Sequence, residues 1–259
     1  MFSARTLLLL LLSLPALSML LACGKAPLEP REPSPGAFHL TIQSYNVESK
    51  HFSDPATVEA VGGNNADILA LQEVTPGWEE VLVARYADQY SYMLFRSAPG
   101  GGGLAVFSHF PVVDLGFRPG PNDWHPAWHV GVETPEGPLQ LLNVHLRAPL
   151  NGRDNKLDAV LKTSEDHLLS IEEFSEECAG NIPTLILGDF NEGIDGDAVR
   201  FLEEKGYRNA LPLFHPGQDT WRYRSIGGQF GDTFDHLLFD STFEPLNAWV
   251  SKAGNSDHL

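Results

Sequence analysis

A short apolar run, Leu185 to Leu187, is the feature that most constrains the fold of this chain. The run follows Pro183 and is apolar at consecutive positions, which predicts a strand buried on both faces of a covered sheet. It ends at Gly188, and Asp189 and Asn191 come directly after. Because residues two apart in an extended segment point to the same side, these two side chains would project together. On its own, the pair is as compatible with an ordinary turn as with a site that positions water and phosphate oxygen.

The first 22 residues have the order of a lipoprotein signal peptide. Arg5 supplies the positive start, an apolar stretch runs from Leu7 to Leu21, and the small residue Ala22 precedes Cys23. This order resembles a bacterial lipoprotein signal, in which cleavage before the cysteine is coupled to lipidation of its thiol. We therefore expect an exported lipoprotein, lipidated at Cys23 and anchored on the periplasmic or cell-surface side of a membrane. An ordinary secretory peptide and an uncleaved anchor helix are the alternatives.

The remainder is predicted to be a tether followed by one domain. Residues 23–36 contain the lipidated cysteine and four prolines, a composition typical of an extended, mobile linker. Residues 37–259 are long enough for one large domain, and we expect a monomer. With Cys23 lipidated, Cys178 would have no intramolecular partner, so the core rather than a disulfide framework must stabilise the domain.

The charge balance limits the classes of partner. The chain carries 34 acidic and 17 basic residues, a formal net charge of −17. Such a surface repels polyanions at long range and argues against broad electrostatic binding of nucleic acid. It still allows a small phosphorylated substrate, or a nuclease that recruits its polyanion through metal ions and a local basic rim.

Predicted strands and helices alternate along the domain, and several of the strands are joined as hairpins. The pattern therefore favours an α/β (α+β) chain folded as a four-layer α-β-β-α sandwich of two packed mixed sheets. The predicted strands cover residues 38–47, 66–71, 90–95, 103–107, 130–134, 139–145, 185–187 and 234–239. The predicted helices cover residues 55–61, 76–86, 156–174 and 198–204.

Polar residues recur where these strands end. Each has an ordinary explanation by itself, such as a strand cap or a solvated end. Their number indicates a site at one edge of the sandwich, since clustered strand ends form natural binding sites. The residues at or near strand ends, or at the end of the chain, are Asn46, Glu73, His145, Asp189, Asn191, Asp235, His236, Asp257 and His258.

Seven segments together resemble the endonuclease/exonuclease/phosphatase superfamily of metal-dependent phosphoesterases. This superfamily includes pancreatic-type deoxyribonuclease, abasic-site endonucleases, inositol polyphosphate 5-phosphatases and neutral sphingomyelinases. The segments occur in family order and span nearly the whole domain. They are SYNV (44–47), DILALQEV (67–74), GGLAVFSHFPVV (102–113), NVHLRAP (143–149), LILGDFNEG (185–193), DTFDHLLF (232–239) and SDHL (256–259).

The resemblance implies a metal site. Glu73 corresponds to the main Mg²⁺ ligand, with Asn46 beside it and Asp257 facing it from the other end of the chain. Carboxylate and amide oxygens suit Mg²⁺ or Mn²⁺, which retain several waters and bind substrate phosphate directly.

The resemblance also implies roles in an in-line attack of water on phosphorus. Asp189 would orient or deprotonate the water, and Asn191 would hold a phosphoryl oxygen. His145 would donate to the phosphate or assist protonation. His258, oriented by Asp235, would stabilise developing charge or act as an acid.

One departure from the family pattern concerns a basic residue. His109 stands where many relatives carry arginine, which puts a phosphate contact from this position in doubt. Candidates for a local anion rim are Arg147, Arg153, Arg222 and Arg224, although ordinary surface charge explains them equally well.

A second departure concerns the end of the chain. In relatives the Ser-Asp-His motif is followed by a proline and a final strand, whereas this sequence stops at Leu259. Either the sequence is incomplete at its end, which is the interpretation that we favour, or the final strand is absent and a sheet edge is left open. Asp257 and His258 would then lie on a frayed terminus.

These features predict a Mg²⁺-dependent phosphoesterase, with a nuclease-like phosphodiesterase slightly favoured. Hydrolysis of a phospholipid, as in sphingomyelinases, or of an inositol or sugar phosphate is the alternative, because the fold does not select the substrate. A different class is an inactive, surface-tethered binding protein with the same fold. Degenerate members should have lost Glu73, Asp189 or a catalytic histidine, and all of these are present.

Overall fold

The computed structural model describes residues 26–119, 125–148, 156–178, 180–225 and 228–259. Within these ranges the chain forms twelve strands and five helices. The strands are β1 (Ile42–Asn46), β2 (Ile68–Gln72), β3 (Tyr92–Arg96), β4 (Leu104–Ser108), β5 (Val112–Arg118), β6 (Ala127–Thr134), β7 (Gly137–His145), β8 (Thr184–Asp189), β9 (Arg208–Asn209), β10 (Trp221–Ser225), β11 (Gly228–Asp232) and β12 (Asp235–Phe239). The helices are α1 (Pro55–Gly62), α2 (Pro76–Tyr86), α3 (Lys156–Ser175), α4 (Asp197–Glu204) and α5 (Ala210–Phe214).

Most of the strands belong to two mixed sheets. The first has the order β1-β2-β4-β3, in which only β1 and β2 run parallel. The second has the order β5-β6-β7-β8-β12-β9, in which only β7 and β8 run parallel. The remaining two strands, β10 and β11, form a separate antiparallel hairpin.

Three apolar clusters define four layers. The first sheet packs on the second through a central cluster that includes Ile68, Val106, Trp128 and Leu187. Helices α1 and α2 cover the outer face of the first sheet, and α3 and α4 cover the outer face of the second. The predicted sandwich of two mixed sheets is therefore confirmed.

Strand β8 contains the apolar run from Leu185 to Leu187, and its packing explains why apolar and polar residues do not alternate there. Leu185 and Leu187 point into the cluster between the sheets, whereas Ile186 points into the cluster under α3 and α4. All three side chains are buried, so both faces of the strand require apolar residues.

The first two helices begin where the sequence predicts, because each has a capping side chain followed by proline. Asp54 Oδ2 accepts the Thr57 backbone N–H at 2.8 Å, and Thr75 Oγ1 accepts the Trp78 backbone N–H at 3.4 Å. Proline at the first helical position removes an N–H that would have no partner in the helix.

Five elements were not predicted from the sequence: β5, β9, α5, β10 and β11. Strand β5 is mostly exposed and contains a register shift between Asp114 and Gly116, so it has no clean alternation of apolar residues. The first strand begins at Ile42 instead of at Phe38, and residues 38–41 precede the regular ladder.

The segment before the domain is less free than its composition predicts. The Leu28 N–H donates to the Leu213 carbonyl at 2.7 Å, and the Arg31 N–H donates to the Leu246 carbonyl at 2.9 Å. These two hydrogen bonds attach the segment to the domain, and its role as a tether stays a prediction. Cys23 and the signal segment lie outside the described residues, and no helix among those described is long and apolar enough to cross a membrane.

Candidate active site

The sheet topology brings four strand ends to one edge of the sandwich. Strands β7 and β8 run parallel and end together, with His145 beside Asp189 in the register. Strand β12 runs antiparallel to β8, so its first residue, Asp235, also pairs with Asp189. Asn46 ends β1 in the other sheet and donates to Asp189 across the sandwich. Four of the strand-end residues predicted to cluster therefore lie together: Asn46, His145, Asp189 and Asp235.

Asp189 lies at the centre of this cluster and is almost fully buried. Its Oδ2 atom accepts from Asn46 Nδ2 at 2.9 Å and from Asn191 Nδ2 at 3.1 Å. The same oxygen lies 3.5 Å from His258 Nε2 and 3.7 Å from His145 Nε2. A buried carboxylate needs such donors, because leaving it unpaired in the interior is costly.

The contact between Asp189 and Asn191 forms in a different way from the predicted one. Strand β8 ends at Asp189, and Asn191 has a left-handed backbone with φ of +51°. The Asn191 backbone N–H donates to Asp189 Oδ1 at 2.9 Å, so a turn brings the two residues together. We predicted that Asp189 and Asn191 project together because side chains alternate along an extended strand. That reason is wrong, since the strand ends before Asn191.

Gly188 allows β8 to approach β7 closely. Its φ is +139°, and a Cβ atom at this position would lie 1.9 Å from the Val144 carbonyl oxygen. Both the conformation and the contact therefore require glycine.

His258 is held by Asp235 and faces Asp189. Its Nδ1 lies 2.8 Å from Asp235 Oδ2, which leaves Nε2 directed at Asp189. Burial lowers the pKa of His258, but the carboxylates of Asp235 and Asp189 outweigh it and raise the pKa to about 10. The imidazole is therefore a cation at neutral pH, with one N–H committed to Asp235.

The end of the chain is held in place. The Leu259 N–H donates to the Thr220 carbonyl at 2.7 Å, and the Arg222 N–H donates to the Asp257 carbonyl at 2.8 Å. His258 is buried. The expectation of a frayed terminus is therefore wrong, because backbone hydrogen bonds to residues 220–222 fix the positions of Asp257 and His258.

Two carboxylates predicted to bind metal lie beside this cluster. Glu73 has a left-handed backbone, with φ of +60°, and its Oε2 accepts the Ser49 N–H at 2.9 Å. Asp257 Oδ2 accepts from Trp221 Nε1 at 3.1 Å. Burial raises the pKa of Asp257, and the nearby carboxylates of Glu48 and Glu73 also raise it, against the opposing charge of His258. Carboxylate oxygens are the ligands that a hard divalent cation such as Mg²⁺ prefers.

The amide of Asn46 fits direct metal binding less well. Its Nδ2 points at Asp189 and lies 3.4 Å from Glu73 Oε1, while its Oδ1 accepts the Glu48 N–H at 3.0 Å. In this orientation Asn46 holds the two carboxylates together, and its role as a metal ligand stays a prediction.

A second group of possible ligands consists of Asp189, Asp235 and His258, whose candidate atoms lie within 4.8 Å of one another. Binding an ion there would compete with the hydrogen bond between His258 and Asp235. Mg²⁺ also prefers an all-oxygen environment, so Glu73 and Asp257 fit it better.

The structure describes the side chains of only two of the four arginines predicted to form an anion rim, Arg147 and Arg222. Arg147 Nη1 pairs with Asp166 Oδ2 at 2.8 Å on the surface. Arg222 lies in β10 next to Trp221, which contacts Asp257. Arg153 and the side chain of Arg224 lie outside the described residues.

Two other histidines have partners away from the reaction centre. His236 Nε2 donates to the Glu192 carbonyl at 3.0 Å, and its Nδ1 accepts from Asn209 Nδ2 at 2.8 Å. Burial lowers the pKa of His236, so this histidine is neutral and supports the fold. His109 stacks on Tyr90, with ring centroids 4.8 Å apart.

Sequence reasoning missed three residues at the site. Glu48 lies near Asp257, and Trp221 donates to that residue. The His125 ring is perpendicular to that of His145, with ring centroids 5.6 Å apart. Burial is the main cause that lowers the pKa of His125 to about 4, and the charge of His145 is the second. Trp221 and His125 do not follow a predicted strand, so the clustering of polar residues at strand ends gives no signal for them. Glu48 directly follows the predicted strand over residues 38–47, and that signal could have found it.

Comparisons with known proteins give a match to one family model. The model of the Endonuclease/Exonuclease/phosphatase family matches residues 44–258. A search of curated proteins gives no significant match.

Several solved structures have the same fold. The structure of D. rerio TDP2 complexed with single-strand DNA product has a TM-score of 0.58 and 15% identity, over 80% of this chain and 86% of that chain. The human Nocturnin catalytic domain with bound sulfate anion has a TM-score of 0.55 and 16% identity, over 78% of this chain and 83% of that chain. A beta hairpin deletion mutant of beta toxin from Staphylococcus aureus has a TM-score of 0.61 and 16% identity, over 82% of this chain and 91% of that chain. At these identities the likeness shows the fold alone.

Proposed function

We propose that this chain, which belongs to the endonuclease/exonuclease/phosphatase family, is a Mg²⁺-dependent phosphodiesterase with nuclease-like activity. The observation that carries the proposal is the position of Asp189, whose buried Oδ2 lies 3.5 Å from His258 Nε2 and 3.7 Å from His145 Nε2. A carboxylate flanked by two imidazoles provides a proton acceptor and two donors in one place, as hydrolysis of a phosphate ester requires.

Each side chain has a role in this reaction. Asp189 orients a water molecule and accepts its proton as the water oxygen bonds to phosphorus. Asn191 and His145 donate to the phosphoryl oxygens as negative charge develops on them. His258, held as an imidazolium by Asp235, donates its Nε2 proton to the leaving oxygen as the bond from that oxygen to phosphorus breaks.

Glu73 and Asp257 would hold the metal ion, and the ion would supply positive charge to the phosphate in the transition state. Mg²⁺ is the first choice and Mn²⁺ the second, because both accept oxygen ligands. The carboxylates of Glu48 and Glu73 raise the pKa of Asp257, so negative charge surrounds the assigned ligands and supports this assignment.

A polynucleotide is the substrate class that we favour. One structure with the same fold is described as D. rerio TDP2 complexed with single-strand DNA product. A phospholipid and an inositol or sugar phosphate are the alternatives to be tested in parallel, since the fold hosts different substrates.

We further propose that the protein is an exported lipoprotein and a monomer, anchored through acyl chains on Cys23. The order of the N-terminal residues supports this location. In a bacterial host, Cys23→Ser should move the protein from the membrane fraction to the soluble fraction. Retention of Cys23→Ser in the membrane would contradict the lipid anchor.

The test of activity uses the chain from residue 24 onward, which keeps every described residue. With Mg²⁺ it should hydrolyse oligonucleotides faster than sphingomyelin or inositol phosphates, and a chelator should abolish this activity. Asp189→Ala should be inactive. A folded wild-type protein that is inactive on the whole panel and indistinguishable from Asp189→Ala would favour an inactive binding protein with this fold.

A further inference from the structure

The hairpin formed by β10 and β11 carries exposed aromatic side chains on one face. Trp221 and Tyr223 are two residues apart in β10 and therefore share a face, and Phe230 lies directly opposite Tyr223 in the register. Tyr223 is 54% exposed and Phe230 is 60% exposed. Exposed rings grouped in this way are unusual on a soluble domain and mark a binding surface.

These rings continue into the candidate active site. Phe234 stacks on Trp221 with ring centroids 5.0 Å apart, and Trp221 stacks on Tyr223 with centroids 6.1 Å apart. Phe234 immediately precedes Asp235, and Trp221 Nε1 donates to Asp257 Oδ2 at 3.1 Å. We call Phe234, Trp221, Tyr223 and Phe230 the aromatic strip. It runs from the catalytic residues outward along the hairpin.

We propose that the aromatic strip binds the unpaired bases of a single-stranded polynucleotide on one side of the scissile phosphate. This inference rests on the proposed phosphodiesterase function and names its substrate. Because the strip is continuous with the site, its occupant must be joined to the phosphate that is cleaved. A chain that carries a planar apolar group beside every phosphate is a polynucleotide, and aromatic side chains bind its bases by stacking, without regard to sequence.

The orientation of the rings favours bases over the acyl chains of a membrane. The Trp221 and Tyr223 rings are within 11° of parallel, as are successive bases in a stack. Charged residues adjoin the strip, since Arg222 projects from the opposite face of β10 and Asp232 lies opposite Trp221 in the register. Burying this hairpin in hydrocarbon would desolvate these charges, which is costly, whereas a polynucleotide leaves them in water.

The strip also explains how an acidic protein could retain a polyanion. A formal net charge of −17 opposes long-range attraction of a polynucleotide. Stacking does not depend on charge, so affinity should come mainly from the rings. Binding should therefore weaken with salt much less steeply than in proteins that neutralise many phosphates.

The test compares Tyr223→Leu, Phe230→Leu and the double variant with wild type, using the chain from residue 24 onward. The matched control is Trp249→Leu, an exposed aromatic residue outside the strip, at 53% exposure. Binding of fluorescein-labelled oligothymidylate is measured in chelator, so that no turnover occurs. We expect Kd to rise about tenfold for each ring removed and about a hundredfold in the double variant, with no change in the control. A double variant that binds like wild type would overturn the proposal.

Two further binding measurements test whether the aromatic strip binds something other than a single strand. A blunt duplex of the same length should bind more weakly than the single strand, because its bases are already paired and stacked. Vesicles of phosphatidylcholine and sphingomyelin should bind wild type and the double variant equally. If the double variant loses vesicle binding and keeps oligothymidylate binding, the strip is a membrane contact and the proposal is wrong.

A small substrate separates this inference from the proposed function. With Mg²⁺, the ratio of kcat/KM for oligothymidylate to kcat/KM for bis(p-nitrophenyl) phosphate should fall about tenfold per ring removed. If wild type binds the oligonucleotide through the strip but hydrolyses neither substrate, the proposed function fails and the strip stands. If both substrates are hydrolysed and the ratio is unchanged, base binding by the aromatic strip is contradicted and the proposed phosphodiesterase function is supported.

Discussion

Asn46 Nδ2 donates to Asp189 Oδ2 at 2.9 Å, joining residues 143 positions apart that end strands in different sheets. The same amide nitrogen lies 3.4 Å from Glu73 Oε1, so one side chain connects the residue that we propose binds metal with the residue that we propose orients water. The edge of the sandwich is therefore fixed by a buried polar network rather than by apolar packing alone.

Replacing Asn46 tests this network. Asn46→Asp places a third carboxylate between Asp189 and Glu73, where like charges cannot all ionise in a buried site. We expect a loss of about 2–4 kcal/mol of unfolding free energy in urea titrations, together with loss of activity. The control is Asn64→Asp on the exposed surface near α1, which should change stability by less than about 0.5 kcal/mol. Equal effects of the two changes would contradict a role for Asn46 in the site.

The pair of His258 and Asp235 predicts a dependence of stability on pH in the metal-free protein. The pKa of His258 is raised from its ordinary value of 6.5 to about 10 in the folded chain. The folded state therefore retains a proton that the unfolded state releases. The resulting stabilisation is fully present below pH 6.5 and is lost as the pH rises through about 10.

Urea unfolding at several pH values in chelator measures this effect. Asp235→Asn should remove much of the difference in stability between pH 6 and pH 10. In activity assays, the same variant should shift the alkaline limb of the rate profile to lower pH, because a less basic His258 loses its proton earlier. An alkaline limb that stays in place in Asp235→Asn would show that His258 is not the acid.

Gly188→Ala should disrupt the end of β8. The added methyl group would lie 1.9 Å from the Val144 carbonyl, at a φ of +139°. Gly137→Ala is the matched control, because its φ is +113° and nothing lies within 4 Å of the added atom. We expect about 1–3 kcal/mol of destabilisation for Gly137→Ala, from backbone strain alone, and more than about 4 kcal/mol for Gly188→Ala. Similar melting temperatures for the two variants would contradict the close packing of β8 on β7.

Glu73→Gln should weaken metal binding without unfolding the protein. Wild type should show a rise in Tm on addition of Mg²⁺, because a ligand that binds only the folded state stabilises it. This rise should be largely lost in Glu73→Gln and retained in Glu80→Gln, a change of an exposed residue in α2. An undiminished Tm shift in Glu73→Gln would place the metal elsewhere, for example at Asp189, Asp235 and His258.

Much of this architecture could be predicted from the sequence, for physical reasons that differ between elements. Strand β8 was predicted because its residues are buried on both faces, and α2 because Thr75 and Pro76 begin it and it ends at Tyr86 as expected. The clustering of Asn46, His145 and Asp189 was predicted because strand ends meet at one edge of a sheet. The assignment of roles to them depended on the family resemblance.

The parts that could not be predicted depend on tertiary contacts. The aromatic strip requires a hairpin whose strands are rich in glycine and charge, and the weak strand pattern concealed the pairing of Tyr223 with Phe230. The stable position of His258 depends on backbone hydrogen bonds from residues 257–259 to residues 220–222, far away in the sequence. Asn191 reaches Asp189 through a left-handed turn that its sequence alone does not specify.

The most direct test of the proposed mechanism is hydrolysis of bis(p-nitrophenyl) phosphate by wild type and Asp189→Asn with Mg²⁺. The substitution keeps the size of the side chain and removes its capacity to accept a proton from water. We expect wild type to hydrolyse the ester only in the presence of the metal, and Asp189→Asn to be slower by about 10²–10⁴-fold while remaining folded by circular dichroism. A folded Asp189→Asn variant that is as active as wild type would contradict the central role of this carboxylate.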